Sequence, residues 1–555
     1  MNLKSIILST FKSNIKSNIL FLELVCLMFL GCKDKEFAKT SVYKTQNYTD
    51  LILDEKAVND YFEAFPESDT IMSEVNQFYE RREYQFAWFN KKGMTASVPI
   101  FYNQIQNYSA DFNDTSFKNI PLDSLIGLIS NDKKTSLVKE NRVKELELLL
   151  TTTFFKYSKK VYEGIAKNPG ELDWFIPRKK KNYQILLDSL VDLSKGEKIS
   201  EPVNPYYKTL KEKLRDYREI YKKGGFPVVV TTKKELSVTE TDSCILAVKQ
   251  HLFLSGDLKK NDGSIIFTDE LAKAVTHFQH RMGLIANGKI NTQTLTELNK
   301  PVEFRIKQMM LNLERLRWVP VNMENEFLLV NIPEYKLHII EKGKLIWTTN
   351  VVVGKDAKQT TIFKGNISRI MLNPYWNIPN SIINNEIIPH IKENSNYLAN
   401  NNMEVLSGDK VINPSTINWG KYKGNVPFII RQKPGPDNAL GKMKFLFPNN
   451  FNIYLHDTPS KGLFNESKRA FSHGCIRVEN PNKLLMHFLR NDASWNQERV
   501  ATILKTNKEF GIPIKPTIPV YIVYFTSWVD HTGQLNFRND IYNLDKQLSN
   551  EIFGE

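Results

Sequence analysis

The sequence predicts a multidomain α+β protein, and three observations carry the prediction. The chain has 555 residues, room for about three to four domains at ~150 residues each. Its apolar residues recur at helical period up to about residue 300, then give way to short β-branched and aromatic runs from Phe327 onward. A break at Lys222-Lys223-Gly224-Gly225, followed by the β-branched run Val228 to Thr232, separates a large helical block from a smaller one. With 41% hydrophobic residues several cores can be buried, which excludes an extended disordered chain. A single apolar segment, at the N-terminus, excludes a polytopic membrane protein. The net charge of +14 permits an anionic partner. The basic residues are scattered in short runs such as Arg178 to Lys181, without a nucleic-acid-binding signature, so no nucleic acid is expected.

Residues 1–32 read as an export signal. Lys4, Lys12 and Lys16 precede a mostly apolar stretch, Ser17 to Gly31, broken by Glu23. It falls short of the ~20 residues a helix needs to span a bilayer. The stretch ends in Phe29-Leu30-Gly31-Cys32, which resembles a bacterial lipobox. The resemblance implies a lipidated Cys32 and a periplasmic, membrane-anchored lipoprotein; a signal anchor and an ordinary cleaved signal are the alternatives. Cys26 falls inside the signal, which leaves Cys244 and Cys475 in the mature chain. Cys244 opens an apolar helical run (Ile245, Leu246, Val248) and reads as a buried small hydrophobe. There is no CxxC, no HExxH and no His-rich tract, so neither a metal site nor a cofactor is expected.

Residues 50–225 read as a helical domain. Leu146, Leu149, Leu150, Phe154, Tyr157 and Val161 fall on one helix face, and Leu210, Leu214, Tyr217 and Tyr221 repeat the pattern. These stripes are core, not chemistry. Residues 236–300 form a smaller unit. Thr268 is placed to cap a helix carrying Leu271, Val275, Phe278 and Met282, and Gly283 to stop it. Asn287-Gly288 gives a turn, and Asn291 caps a second helix with Leu295 and Leu298. The run Ala274 to Leu284, with Asn287-Gly288 and Thr292 to Leu295, resembles the three-helix peptidoglycan-binding module, which implies a cell-wall tether.

Residues 325–505 read as β-rich. Phe327 to Ile332 is a buried-strand run, and Glu341-Lys342-Gly343 turns a hairpin between Tyr335–Ile340 and Lys344–Val353. A polar segment over residues 381–442 has weak strand signals and is expected to cap a groove as an insertion, with Trp419 and Tyr422 at its mouth. The strand Asn452 to His456 follows, then Ser472-His473-Gly474-Cys475-Ile476-Arg477-Val478.

That last stretch carries the chemistry. The thiolate is the reactive form of cysteine, and a free thiol of pKa ~8.5 is only a few per cent ionised at neutral pH, so a base must take its proton. His456, at the end of a neighbouring strand, is free to aim its ring at Cys475. His473 shares the cysteine's own loop and is less free. Gly474 permits close backbone approach, so its N–H and that of Cys475 are expected to face an oxyanion, and the Cys475 pKa is expected to be depressed. Arg477 is placed to hold a carboxylate, with an ion pair to Glu479 as the structural alternative.

His456, fifteen intervening residues, then Ser472-His473-Gly474-Cys475 and Arg477 resemble the signature of the YkuD-type L,D-transpeptidases. The resemblance reaches upstream to Phe78-Tyr79, Arg82, Tyr84 and Trp88, which match that family's scaffold-bearing members. Downstream it reaches Pro519 to Asp530 and Phe537 to Tyr542, in a C-terminal segment over 516–545 expected to pack on the catalytic domain. It implies a helical scaffold domain, a peptidoglycan-binding-like domain and a β-rich catalytic domain with a capping insertion. It also implies Cys475 as nucleophile, His456 as general base and the Asp457 carbonyl orienting His456. His473 and Gly474 would lie on the oxyanion side, with Arg477 on the substrate. The implied partners are peptidoglycan tetrapeptide stems and carbapenem-type inhibitors. The implied reaction is a 3→3 cross-link made through a cysteine thioester with loss of D-Ala. A carboxypeptidase or wall-anchoring enzyme using the same thioester, or a silent wall-binding lipoprotein, are the alternatives.

Overall fold

The computed structural model describes residues 49–117, 120–131, 137–166, 168–178, 180–193, 200–422 and 426–554. The expected signal, with Cys26 and Cys32, lies outside the described residues, as does Lys179 of the basic run. Among the described residues no helix is long and apolar enough to cross a membrane. The chain divides into two compact units: Met1–Ser109, Thr115–Ser158 and Asn182–Ile199 form the first, and Ala110–Asp114, Lys159–Lys181 and Ser200–Glu555 the second.

The first unit is helical, as its periodicity predicts. Its helices are α1 (Glu55–Ala64), α2 (Asp69–Arg81), α3 (Ser97–Phe112, as far as Ser109), α4 (Ile120–Asn131), α5 (Leu137–Ser158) and α6 (Tyr183–Val191), with a small hairpin of β1 (Phe89–Asn90) and β2 (Gly93–Met94). Asp54 caps α1 by accepting from the Ala57 N–H (2.6 Å). The sequence suggested a one-faced α5; instead the helix is buried nearly all round from Leu146 to Phe155. The cause is polar as well as apolar. The Glu147 carboxylate sits in the core and accepts from the Ala87 N–H (2.6 Å), the Trp88 N–H (3.0 Å) and the Tyr79 hydroxyl (2.9 Å). The Trp88 indole donates to Thr151 (2.9 Å). Tyr79 and Trp88, two of the scaffold-like positions, are thus fully buried structural residues.

The second unit begins earlier than the expected boundary at 225, because α7 (Pro205–Lys222) belongs to it. Its Tyr207 hydroxyl accepts from Arg317 (3.1 Å). The unit also holds β3 (Trp174–Phe175) and a small module of α8 (Cys244–Leu254), α9 (Asp269–Met282) and α10 (Thr292–Leu298), tied by β4 (Glu235–Leu236) to β5 (Ile290–Asn291). The caps fall where the sequence puts them. Thr268 accepts from the Leu271 N–H (3.2 Å), Gly283 ends α9 at φ +71°, and Asn291 accepts from the Thr294 N–H (3.0 Å). Then α11 (Val302–Trp318) leads into the β region.

That region contains β6 (Glu326–Asn331), β7 (Lys336–Glu341), β8 (Lys344–Gly354), β9 (Ile362–Leu372), β10 (Trp376–Asn377), β11 (Met403–Ser407), β12 (Lys410–Ile412), β13 (Ile429–Gln432) and β14 (Met443–Leu446). It continues with β15 (Leu455–His456), β16 (Ala470–Ser472), β17 (Ile476–Val478), β18 (Phe510–Val523), β19 (Ser527–Val529) and β20 (Leu535–Phe537), and ends in helix α12 (Leu544–Phe553). The main sheet runs β14-β15-β17-β8-β7-β6-β18-β9, and β14 also pairs with β9, so the sheet closes on itself. β18 lies parallel to β6 and antiparallel to β9. The start of the expected C-terminal segment is therefore an integral strand of the closed sheet. Just past β18 the chain is fixed to α11, where Asn312 accepts from the Thr526 N–H (2.9 Å).

The insertion is a folded subdomain. Its sheet runs β10-β13-β11-β12, and helical turns at Asn380–Ile382, Ile383–Ile387 and Ile388–Glu393 cover it. Ile383, Ile387, Ile388, Ile391, Leu398, Val405 and Ile430 make a core of its own. Apolar residues spread thinly among turns hid this core from any periodicity.

Candidate active site

The site is built by strand register. β15 lies parallel to β17, with Leu455 opposite Ile476 and His456 opposite Arg477. On its other side β15 pairs antiparallel with β14, with Lys444 opposite His456. Successive strand residues face opposite ways, so Tyr454 and His456 share a face, as do Cys475 and Arg477. All four, with Lys444, line one cavity of about 860 Å³. The insertion supplies other walls through Ile378, Ile382, Glu386, Phe428 and Ile429.

Cys475 is half-buried immediately before β17, and its thiol donates to the Asn452 carbonyl (3.5 Å). Burial pushes this thiol up from its ordinary value; hydrogen bonds from Tyr454 and the charges of Lys444 and Arg477 pull it back only in part. The expected depressed pKa is therefore corrected: in the free protein the thiol is protonated at neutral pH. Cys244 is also a free thiol, buried as the sequence implied, and burial and the Asp242 carboxylate push it up to about 11.

The His456 ring bonds through Nδ1 to the Asp457 carbonyl (2.5 Å). A carbonyl only accepts, so Nδ1 carries the proton and Nε2 keeps its lone pair. Burial, aided by the Arg477 and Lys444 charges, pulls the pKa down to about 3, so the ring is neutral at pH 7. The Asp457 side chain is held as well, by Lys461 (2.6 Å) and the Lys442 N–H (2.9 Å).

The loop before the cysteine is locked. Gly474 has φ +113°, a conformation side chains resist. Its carbonyl accepts from Thr360 (2.8 Å), and the hydroxyl of Tyr542, from the C-terminal segment, accepts from the Thr360 N–H (3.3 Å). The Gly474 N–H is spent on the Ser472 hydroxyl (3.1 Å), which itself donates to the Cys475 carbonyl (2.5 Å). The Gly474 N–H expected to face an oxyanion is therefore hydrogen-bonded within its own loop. His473 lines the cavity, with Nε2 3.0 Å from Glu386 of the insertion. Arg477 makes no ion pair among the described residues, and its Nε is buried without a hydrogen bond. Glu479 instead accepts from Asn350 (3.2 Å), so the alternative pair does not form.

Trp419 and Tyr422 are not at the mouth. Trp419 is buried in the insertion core with its indole donating to the Pro414 carbonyl (3.1 Å), and Tyr422 packs against that core. Neither lines the cavity. The reason is physical: the insertion needs large side chains to fill its own interior. Sequence reading missed Lys444, Tyr454 and Glu386. Strand alternation from His456 pointed to Tyr454; the other two reach the cavity only through tertiary structure.

Comparisons with known proteins bear on the family of these domains. The profile of the YkuD family, described as an L,D-transpeptidase catalytic domain, matches residues 325–498, and a scaffold-domain profile matches residues 73–214. A Haemophilus influenzae protein carrying the provisional name L,D-transpeptidase is 36% identical over 244 residues, which are 44% of this chain and 49% of that protein. The chain thus spans about half the length of the curated relative it matches. Among solved structures, an L,D-transpeptidase from Stackebrandtia nassauensis is 12% identical, over 53% of this chain and 97% of that one, with a TM-score of 0.21. One from Mycobacterium smegmatis is 10% identical, over 36% of this chain and 58% of that one, with a TM-score of 0.18. Superpositions this poor carry no argument; the assignment rests on the profile matches. The chain carries a YkuD-family L,D-transpeptidase catalytic domain, preceded by a scaffold domain.

Proposed function

We propose that this protein is a peptidoglycan L,D-transpeptidase that passes the acyl group through Cys475. The observation supporting this is the shared face of Cys475, Tyr454, His456 and Arg477, with His456 Nε2 left as the proton acceptor. The Cys475 sulfur attacks the carbonyl of the L-centre of diaminopimelate while its proton passes to His456 Nε2. The amide C–N bond breaks, the imidazolium returns the proton to the departing D-Ala amine, and a thioester remains. A side-chain amine of a second stem then attacks the thioester, giving the 3→3 link and restoring the thiol. Thiol and imidazole are both neutral at rest, so proton transfer accompanies attack instead of preceding it. We assign the oxyanion donor to the Cys475 backbone N–H, since the Gly474 N–H is bonded to Ser472.

Mass analysis of tetrapeptide-stem muropeptides incubated with the purified soluble chain tests this. Cross-linked dimers lacking one D-Ala are expected from the wild type and none from Cys475→Ala. His456→Ala should slow the reaction by about 10²–10⁴. Tripeptide product alone would mark water as the acceptor and overturn the cross-linking assignment. A carbapenem, whose strained ring presents an acylating carbonyl, should add covalently to the wild type and not to Cys475→Ala. Placement at the periplasmic face through lipidated Cys32 rests on residues 1–32 alone. Cys32→Ser should release the chain from the membrane fraction, whereas retention would favour a signal anchor.

A further inference from the structure

The cavity around Cys475 holds two cations that the acyl-transfer steps leave idle. Register sets Lys444 and Arg477 on either side of His456, each one strand away. At about 4.8 Å between strands this puts their backbones on the order of 10 Å apart. The Lys444 ammonium lies 3.9 Å from the centre of the Tyr454 ring, which fixes it beside the thiol. Neither cation makes an ion pair among the described residues. The carboxylates nearby are engaged elsewhere: Glu386 with His473, and Glu509 with the Tyr375 N–H (3.0 Å). Burial pulls both cations down from their ordinary values. An uncompensated half-buried charge is costly, and two of them facing one cavity fit a ligand that brings the counter-charge.

We propose that Lys444 is a specificity residue which, with Arg477, reads a free carboxylate on the acyl donor beside the scissile amide. The inference deepens the transpeptidase reading and rests on it for the identity of the donor. Two carboxylates have the required chemistry: the one on the far centre of the diaminopimelate, and the terminal one on the departing D-Ala. Amidation of the carboxylate that Lys444 reads should make a poor donor.

Two measurements test this on the full chain. The first compares alkylation of Cys475 by iodoacetate, an anion, and iodoacetamide, its neutral analogue, followed by intact mass. Lys444→Met should lower the iodoacetate-to-iodoacetamide rate ratio by about fivefold or more, and Lys444→Arg should restore it. The second compares tetrapeptide donors amidated at one or the other carboxylate with the free acid. The wild type should prefer the free acid by about tenfold in kcat/KM at the carboxylate that matters, and Lys444→Met should collapse that preference to about twofold. The position whose amidation is felt identifies which carboxylate is read. An equal fall with both alkylators would place Lys444 on the thiol and overturn the proposal, as would a donor preference that survives Lys444→Met. If the wild type turns over no donor, the transpeptidase reading fails, while the alkylation ratio still decides whether Lys444 selects anions.

Discussion

At the scale of the residue, the protonation states of Cys475 and His456 separate this site from a pre-formed thiolate–imidazolium pair. Burial raises the thiol and lowers the imidazole, so each favours its neutral form at pH 7. The rate of Cys475 alkylation by iodoacetamide should therefore climb steadily from pH 6 into the alkaline range, with no plateau near neutrality. A plateau at pH 6–8 would show that a depressed-pKa thiolate exists in the free protein. Cys244, held at about 11 beside the Asp242 carboxylate, should react more slowly throughout.

At the scale of the element, α5 is organised by one carboxylate. Glu147 takes two backbone N–H groups of the segment leading into β1 and the hydroxyl of Tyr79 on α2, joining three elements of the first unit. Glu147→Ala leaves those donors buried and unsatisfied and adds a cavity, so it should destabilise the first unit by about 3–5 kcal/mol. Chemical denaturation checks this; a loss below about 1 kcal/mol would mean that water or neighbouring groups replace the carboxylate. In the second unit, β15 is only two residues long, yet its pairing on both sides sets the three side chains Lys444, His456 and Arg477 in a row. Short strands suffice there because the closed sheet fixes their neighbours.

At the scale of the whole molecule, the two units should answer mild acid in opposite senses. Burial holds His251 and His456, both in the second unit, at about 3, below the unfolded value of 6.5. Between those values the unfolded chain binds more protons, so the second unit loses stability as pH falls below about 6.5, by about 1.4 kcal/mol per unit of pH for each histidine. Glu147, in the first unit, is raised to about 7 from 4.5. There the folded form binds more protons, so the first unit gains stability as pH falls from 7 towards 4.5. Hydrogen exchange read separately over the two units at pH 7 and pH 5 should show protection falling in the second and holding or rising in the first. A parallel loss in both would show that these three groups do not govern the response.

The sequence by itself determined what is local. Thr268, Gly283 and Asn291 set helix ends because a cap involves only the next few residues. His456 and Ser472 to Arg477 could be singled out because those residue types sit at short fixed spacing, and the Asp457 carbonyl that the family resemblance implied does meet the His456 ring. Tertiary structure alone decided what depends on neighbours distant in the chain. β18 enters the sheet between β6 and β9 from nearly two hundred residues beyond β6, which no periodicity reveals. Trp419 went to the insertion core because burial of a large apolar ring outweighed any role at the groove. Lys444 came beside Cys475 through register across two strands, and the neutral state of the cysteine–histidine pair came from burial. Both are sums over many distant groups, and a linear sequence carries no reading of such sums.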